Sequence, residues 1–167
     1  MSATTTMKTE IPHDLDTRVL ARIIEEGYGP GAWHGADLKA ALSGVSSELA
    51  FWRPSPERHN IAEIALHHAY CARSVRGRLE GRDPEPFVLE GDDWFPADGS
   101  RLNWAAILET VETEQQRLAG AVNAMSASRR ASTLTMAERV ELVLGITCHA
   151  VYHAGQIQLL KKLAGQS

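Results

Sequence analysis

The sequence predicts an all-α protein, a four-helix bundle with one long crossover loop. Three observations carry that expectation. Apolar residues recur at helical spacing in four stretches, and no stretch of any length shows the two-residue alternation of a strand. A segment rich in Pro, Gly and Asp, residues 82–100, separates the second stretch from the third. The 167 residues suit one domain and can bury a core without disulfides.

The first helix is expected from Asp14 to about Tyr28, with Leu15, Val19, Leu20, Ile23 and Ile24 as its apolar stripe. "GYGPGAWHG" breaks it. A short helical piece follows at "ADLKAALSG", ending on Gly44, and "FWRPSPERH" reads as a loop with two prolines. The second long helix begins after Asn60, which stands three residues before Glu63 as an N-cap stands to its N3 partner. Its apolar face is Ile61, Ile64, Ala65, Cys71, Val75 and Leu79, and Gly81 ends it. Residues 82–100 are expected as a loop covering the core, with a short extended piece at "FVLE". Asn103 caps the third helix, whose stripe is Trp104, Leu108, Val111, Leu118, Val122 and Met125, and "SASRRAS" closes it. Thr135 and Glu138 have capping-box spacing, and the fourth helix runs from there to about Leu163. Residues 1–12 are expected as a flexible tail and 13–167 as the bundle.

Hydrophobic residues make up 44% and charged residues 23%, ordinary values for a globular protein. A net charge of -4 argues against a dedicated nucleic-acid surface. The N-terminus lacks an apolar signal region, and no run approaches the 18 apolar residues of a membrane span, so a cytoplasmic protein is expected. Cys71 and Cys148 both fall in apolar helical patterns and read as small buried hydrophobes. There is no P-loop, no GxGxxG and no GxSxG.

The fourth helix carries the chemical signal. Positions 142, 146, 149, 153, 157 and 160 share one face and read Leu, Ile, His, His, Ile, Leu. His149 and His153 are one turn apart, with about 6 Å of rise between them, so both imidazoles can reach the same ion. An imidazole buried without partners costs about 1–3 kcal/mol per unsatisfied group, and a metal ion removes that cost by taking one nitrogen from each ring. The second helix offers His67 and His68. Adjacent helical residues point about 100° apart, so one of the two is expected to join. Three histidines plus an open position is a composition of catalytic metal sites, and neutral imidazole suits Zn, Ni, Cu or Fe. No paired ExxH motif supports a di-iron centre, and "HAVYH" lacks the glutamate of HExxH.

The segments "NIAEIALHHAYCARSVRGRLEG" and "GITCHAVYHAGQIQLLKKL", with "GAWHGADLKAALSGV" before them, resemble the DinB-like (DinB/YfiT) superfamily of four-helix proteins. The resemblance spans almost the whole chain beyond the tail, and "HxxxHxGQI" is its most specific part. It implies a three-histidine metal site, with the second-helix ligand falling on His67 when "IAEIALH" is aligned. The implied ligands are therefore His67, His149 and His153. The implied ion is divalent, Zn or Ni first, with Fe or Mn compatible. The resemblance also implies a homodimer and an enzyme acting on a small molecule, a thiol S-transferase using bacillithiol, mycothiol or glutathione. The alternatives are a metal-dependent hydrolase and a non-catalytic metal-binding stress-response protein.

Gln156 shares the histidine face and reads either as a partner for a ligand or a bound water or as a polar residue at the bundle end. Tyr70 and Tyr152 are expected as packing with polar tips, and Glu63 as a helix cap before a general base. Asp92, Asp93 and Trp94 read either as the mouth of the site or as a polar turn with an aromatic plug. His34, after Trp33, is expected to be structural.

Overall fold

The computed structural model describes residues 16–125 and 132–165. The expected tail, the first residues of the first helix and nearly all of "SASRRAS" lie outside them. Among the described residues there are six helices: α1 Thr17–Gly27, α2 Leu38–Leu42, α3 Ser47–Phe51, α4 Ile61–Glu80, α5 Trp104–Ala124 and α6 Met136–Leu163. The four longer ones, α1, α4, α5 and α6, pack on one another as a bundle, and α2 and α3 fill the connection between α1 and α4.

The helix starts follow local capping chemistry. The side chains of Asp16, Asp37, Ser46, Asn60 and Asn103 each accept a backbone N–H in the first turn, and Thr135 and Glu138 complete a reciprocal capping box. Helix α3 is an addition to the sequence expectation; Ser46 capping Leu49 N–H at 3.2 Å is enough to start its single turn. Glu63 departs from its expected role. Asn60 does cap its N–H, but the Glu63 carboxylate turns to Arg53, His59 and the Ala97 N–H instead of reaching back. Burial raises that carboxyl's pKa, and these three partners together outweigh burial and hold it below the ordinary range.

Helix α4 ends in a Schellman motif. Gly81 takes φ 69° and donates to Arg78 O, while Arg82 N–H donates to Gly77 O at 3.1 Å. Gly77 has a separate reason to be glycine. A Cβ there would stand 2.7 Å from Pro84 Cδ and 2.9 Å from Arg82 O, a rigid ring and a backbone atom. In an open helix Gly→Ala gains about 1 kcal/mol, but overpacking costs about 1–3 kcal/mol. Gly77→Ala is therefore expected to lower stability by about 1–2 kcal/mol in denaturant melts, against the propensity trend.

The core has two parts. One gathers α2, α3, the first half of α4, the loop residues Leu89, Phe95 and Ala97, and the second half of α6. The other gathers α1, the second half of α4, the second half of α5 and the first half of α6. His67, His68, His149 and His153 fall at the join, midway along α4 and α6.

No strand forms at "FVLE". The loop between α4 and α5 instead inserts Phe95, 1% exposed, into the core and is held to the start of α4 by Asn60 Nδ2 donating to Ala97 O at 2.8 Å. On α1, Leu20 and Ile24 are buried but Val19 is exposed. On α5, Ile107 is fully buried and Leu108 only half-buried, so the stripe is turned by about one residue at that end. Cys148 is exposed, which corrects the expectation of a buried thiol: its face of α6 also shows Leu144, Tyr152 and Leu159 to solvent. No described helix is long and apolar enough to cross a membrane.

Candidate metal centre

His67 comes from the middle of α4, and His149 and His153 from successive turns of α6. Their Nε2 atoms converge. His149 Nε2 lies 3.0 Å from His67 Nε2 and 3.0 Å from His153 Nε2. His67 and His153 are buried and His149 is half-buried. The convergence needs the i, i+4 spacing on α6 and the close packing of α4 against α6.

Each opposite ring nitrogen has its own partner. His67 Nδ1 donates to Asp93, with the backbone oxygen at 2.9 Å and the carboxylate at 3.0 Å. His153 Nδ1 donates to Gln156 Oε1 at 2.6 Å, and the Gln156 amide donates in turn to Tyr152 Oη at 3.0 Å. His149 Nδ1 faces His68 Nδ1 at 3.3 Å. Burial first, then the neighbouring imidazoles, pushes His149 down to about 4. Burial likewise lowers His153, partly offset by Gln156. Both rings are therefore neutral near pH 7.

This proton inventory tests the fit of a cation. In a neutral His67 or His153 the oxygen acceptor obliges the ring to carry its proton on Nδ1. Their Nε2 lone pairs both point at His149, which has one proton to give and can satisfy at most one of them. Neutral imidazoles alone leave at least one lone pair unsatisfied, at about 1–3 kcal/mol. One divalent ion accepts all three. Tetrahedral geometry with bonds of about 2.0–2.1 Å asks for nitrogens about 3.3 Å apart, so the two separations from His149 need to open by only a few tenths of an ångström, and all three ligand atoms already lie within 4.8 Å of one another. The cluster can hold a divalent ion.

The loop tip is built around His67. Trp94 N–H donates to Asp92 O at 2.7 Å, and Asp93 between them has φ 64°. This is a γ-turn centred on a positive φ, the strained form, at a residue with a side chain. The turn places both Asp93 oxygens on His67 and lays the Trp94 indole parallel to the His67 ring, centroids 4.0 Å apart. Trp94 also stacks on His59 at 3.7 Å. A β-branched residue suits positive φ least and glycine best. Asp93→Val is therefore expected to be less stable than Asp93→Gly by about 1–2 kcal/mol, measured by urea melts of the metal-free chain. Equal stabilities would mean that the turn opens freely.

The other candidates sort themselves by contact. His68 is buried beside the cluster but its nitrogens face His149 and Gln115. His34 bonds the backbone oxygen of Glu26 at 2.7 Å, in keeping with a structural role. Tyr70 donates to Asp92. Cys71 Sγ lies 4.0 Å from both ring nitrogens of His67, and burial raises its thiol to about 11. Cys71, Asp93 and His67 form a second group able to bind a metal, but it competes for His67 with the three-histidine set. Among the described residues no fourth His, Cys, Asp or Glu joins that set. Sequence reasoning overlooked Gln115, although it follows Val111 and precedes Leu118 at helical spacing; a polar residue on an apolar stripe was the available signal.

Comparison with curated proteins and with solved structures finds no match. The family model of the DinB superfamily matches residues 32–157, which include α2 to α5, most of α6 and all three converging histidines. On that match, over most of its length, the chain belongs to the DinB superfamily.

Proposed function

We propose that the chain is a divalent-metal-dependent enzyme whose ion is held by His67, His149 and His153, and that it transfers a low-molecular-weight thiol to a small electrophile. The observation that carries the reading is the convergence of three imidazole nitrogens with no fourth protein donor in the set among the described residues. Structural sites are usually closed by four protein ligands, whereas catalytic sites keep one position open. Zn or Ni suits three imidazoles best, with Fe or Mn compatible. When bound, the ion would lower the pKa of a thiol at the open position and supply a thiolate near pH 7.

The chain's own residues define the rest. Asp93 and Gln156 hold the protons of His67 and His153 on Nδ1 and so keep their Nε2 lone pairs free. Imidazole ligands carry no charge, so they would cancel none of the ion's charge and an anionic thiolate would be favoured. Trp94, parallel to His67 and edge-on to His153, walls the site with an apolar surface. Tyr152, largely exposed and bonded to Gln156, stands at the outer edge. Hydrolysis is the competing outcome of the same arrangement.

The test is a rate assay of zinc- and nickel-loaded protein with glutathione, mycothiol or bacillithiol against activated electrophiles. Metal-dependent consumption of thiol, absent in His149→Ala, supports the reading. Electrophile loss at the same rate without thiol makes the protein a hydrolase, and no reaction in either arm supports a non-catalytic metal-binding role.

A further inference from the structure

His68 is 1% exposed, on a helix face where a hydrocarbon side chain would bury more cheaply. Its two nitrogens are nonetheless both engaged. Nε2 faces Gln115 Oε1 at 3.4 Å and Nδ1 faces His149 Nδ1 at 3.3 Å. The His68 and His149 rings lie within 22° of parallel with centroids 5.6 Å apart, too far apart for face-to-face contact and suited to an in-plane N–H···N bond. The void beside His68 and Gln115, lined by Ile24, Leu118 and Ile146, is too small for a water molecule, so no solvent stands in for the His68–Gln115 link.

Proton directions follow in one sense. An amide oxygen only accepts, so His68 carries its proton on Nε2 and offers Nδ1 as a lone pair. That lone pair takes the proton of His149 Nδ1, leaving His149 Nε2 unprotonated and aimed at the other two Nε2 atoms. His67 and His153 receive the same service from oxygen acceptors, Asp93 and Gln156. His149 receives it from a second imidazole, backed by a third helix.

We propose that Gln115 and His68 form a relay from α5 through α4 that fixes the tautomer of His149 and so makes it a metal ligand. Both are positioning residues, since neither touches the ion. The inference rests on the metal reading above and deepens it. Removing partners of this kind typically costs 10–100-fold in metal affinity.

The experiment uses the full-length chain with zinc alone as the probe. Affinity and stoichiometry are read by competition with a chromophoric chelator, and the tautomer of His149 by long-range proton–nitrogen NMR of the metal-free, nitrogen-15-labelled protein. The controls His67→Ala and His149→Ala test the underlying reading: wild-type affinity in both would remove the metal site itself. With that site standing, the relay predicts that Gln115→Leu and His68→Phe bind zinc about 10- to 100-fold more weakly at an unchanged one ion per chain. It also predicts that Gln115→Glu binds at least as tightly as wild type, and that His149 is protonated on Nδ1. Gln115 lies two links from His149 and three from the ion, so its variants serve if His68→Phe fails to fold. Affinity of Gln115→Leu within twofold of wild type overturns the relay, as does a His149 proton on Nε2. Complete loss of zinc in His68→Phe, with the fold retained, would make His68 a ligand and also overturns it.

Discussion

Purified His153→Ala is expected to carry essentially no divalent ion where wild type carries one per chain, and to lose metal-dependent activity with it. The side chain is one of the three imidazoles that converge among the described residues, and its Nε2 lies 3.0 Å from that of His149. Structural zinc sites with four ligands bind with about 10–16 kcal/mol, so one donor accounts for roughly 3–4 kcal/mol, or about 10²–10³ in affinity. The substitution also leaves Gln156 Oε1 without its donor, but Gln156 is near the surface and can turn to solvent. The bundle should therefore survive in the metal-free state, and circular dichroism should show helix content close to wild type. Elemental analysis after gel filtration reads the result. Equal metal content in variant and wild type would place the ion elsewhere.

Away from the histidines, Arg76→Leu is expected to be strongly destabilising. Arg76 is 2% exposed, yet it is a charged residue in the second half of α4. Glu80, Glu85 and Glu114 neutralise it, from the next turn of its own helix, from the crossover loop and from α5. The Arg76 guanidinium also holds the Glu85 carboxyl down to about 2. Removing one partner of a buried pair commonly costs 3–5 kcal/mol. The lower figure of about 2–3 kcal/mol is expected here, because Glu80 and Glu85 reach solvent and Glu114 keeps Arg117 at 2.8 Å. For a chain of this size that is a melting-temperature drop of about 4–12 °C. Arg76→Leu with Glu114→Leu should recover part of the loss, since the buried Glu114 carboxylate, left with Arg117 alone, is then gone. A drop under 2 °C in the single variant would mean that the network contributes nothing.

The bundle was legible because its long helices announce themselves twice, by period and by caps. Asn60, Asn103 and Thr135 stand where the structure caps α4, α5 and α6, and Gly81 ends α4 as its position suggests. Local chemistry sets such boundaries, so local sequence reveals them. Helix α3 and the packing of Phe95 were not legible, because a single turn has no period and a loop residue is buried by what lies across the core. The histidine site was half legible. His149 and His153 share a face by helical arithmetic, whereas choosing His67 over His68 needed the family resemblance. Periodicity alone could not separate them, since both are buried in the structure and differ only in what their nitrogens face. The partners Asp93, Gln115 and His68 come from other elements and appear only when the chain is folded. Gln115 and Arg76 still left a trace, as polar residues at core spacing on otherwise apolar stripes.

X-ray absorption spectroscopy of the cobalt- or zinc-loaded protein tests the central claim most directly. The account predicts one ion per chain with three imidazole nitrogens at about 2.0–2.1 Å, no sulfur neighbour, and a remaining position that exchanges with added ligand. A spectrum with a sulfur at about 2.3 Å would bring Cys71 into the shell and make the centre a closed, structural one, and one with fewer than two imidazoles would contradict the convergence of α4 and α6 on a single ion.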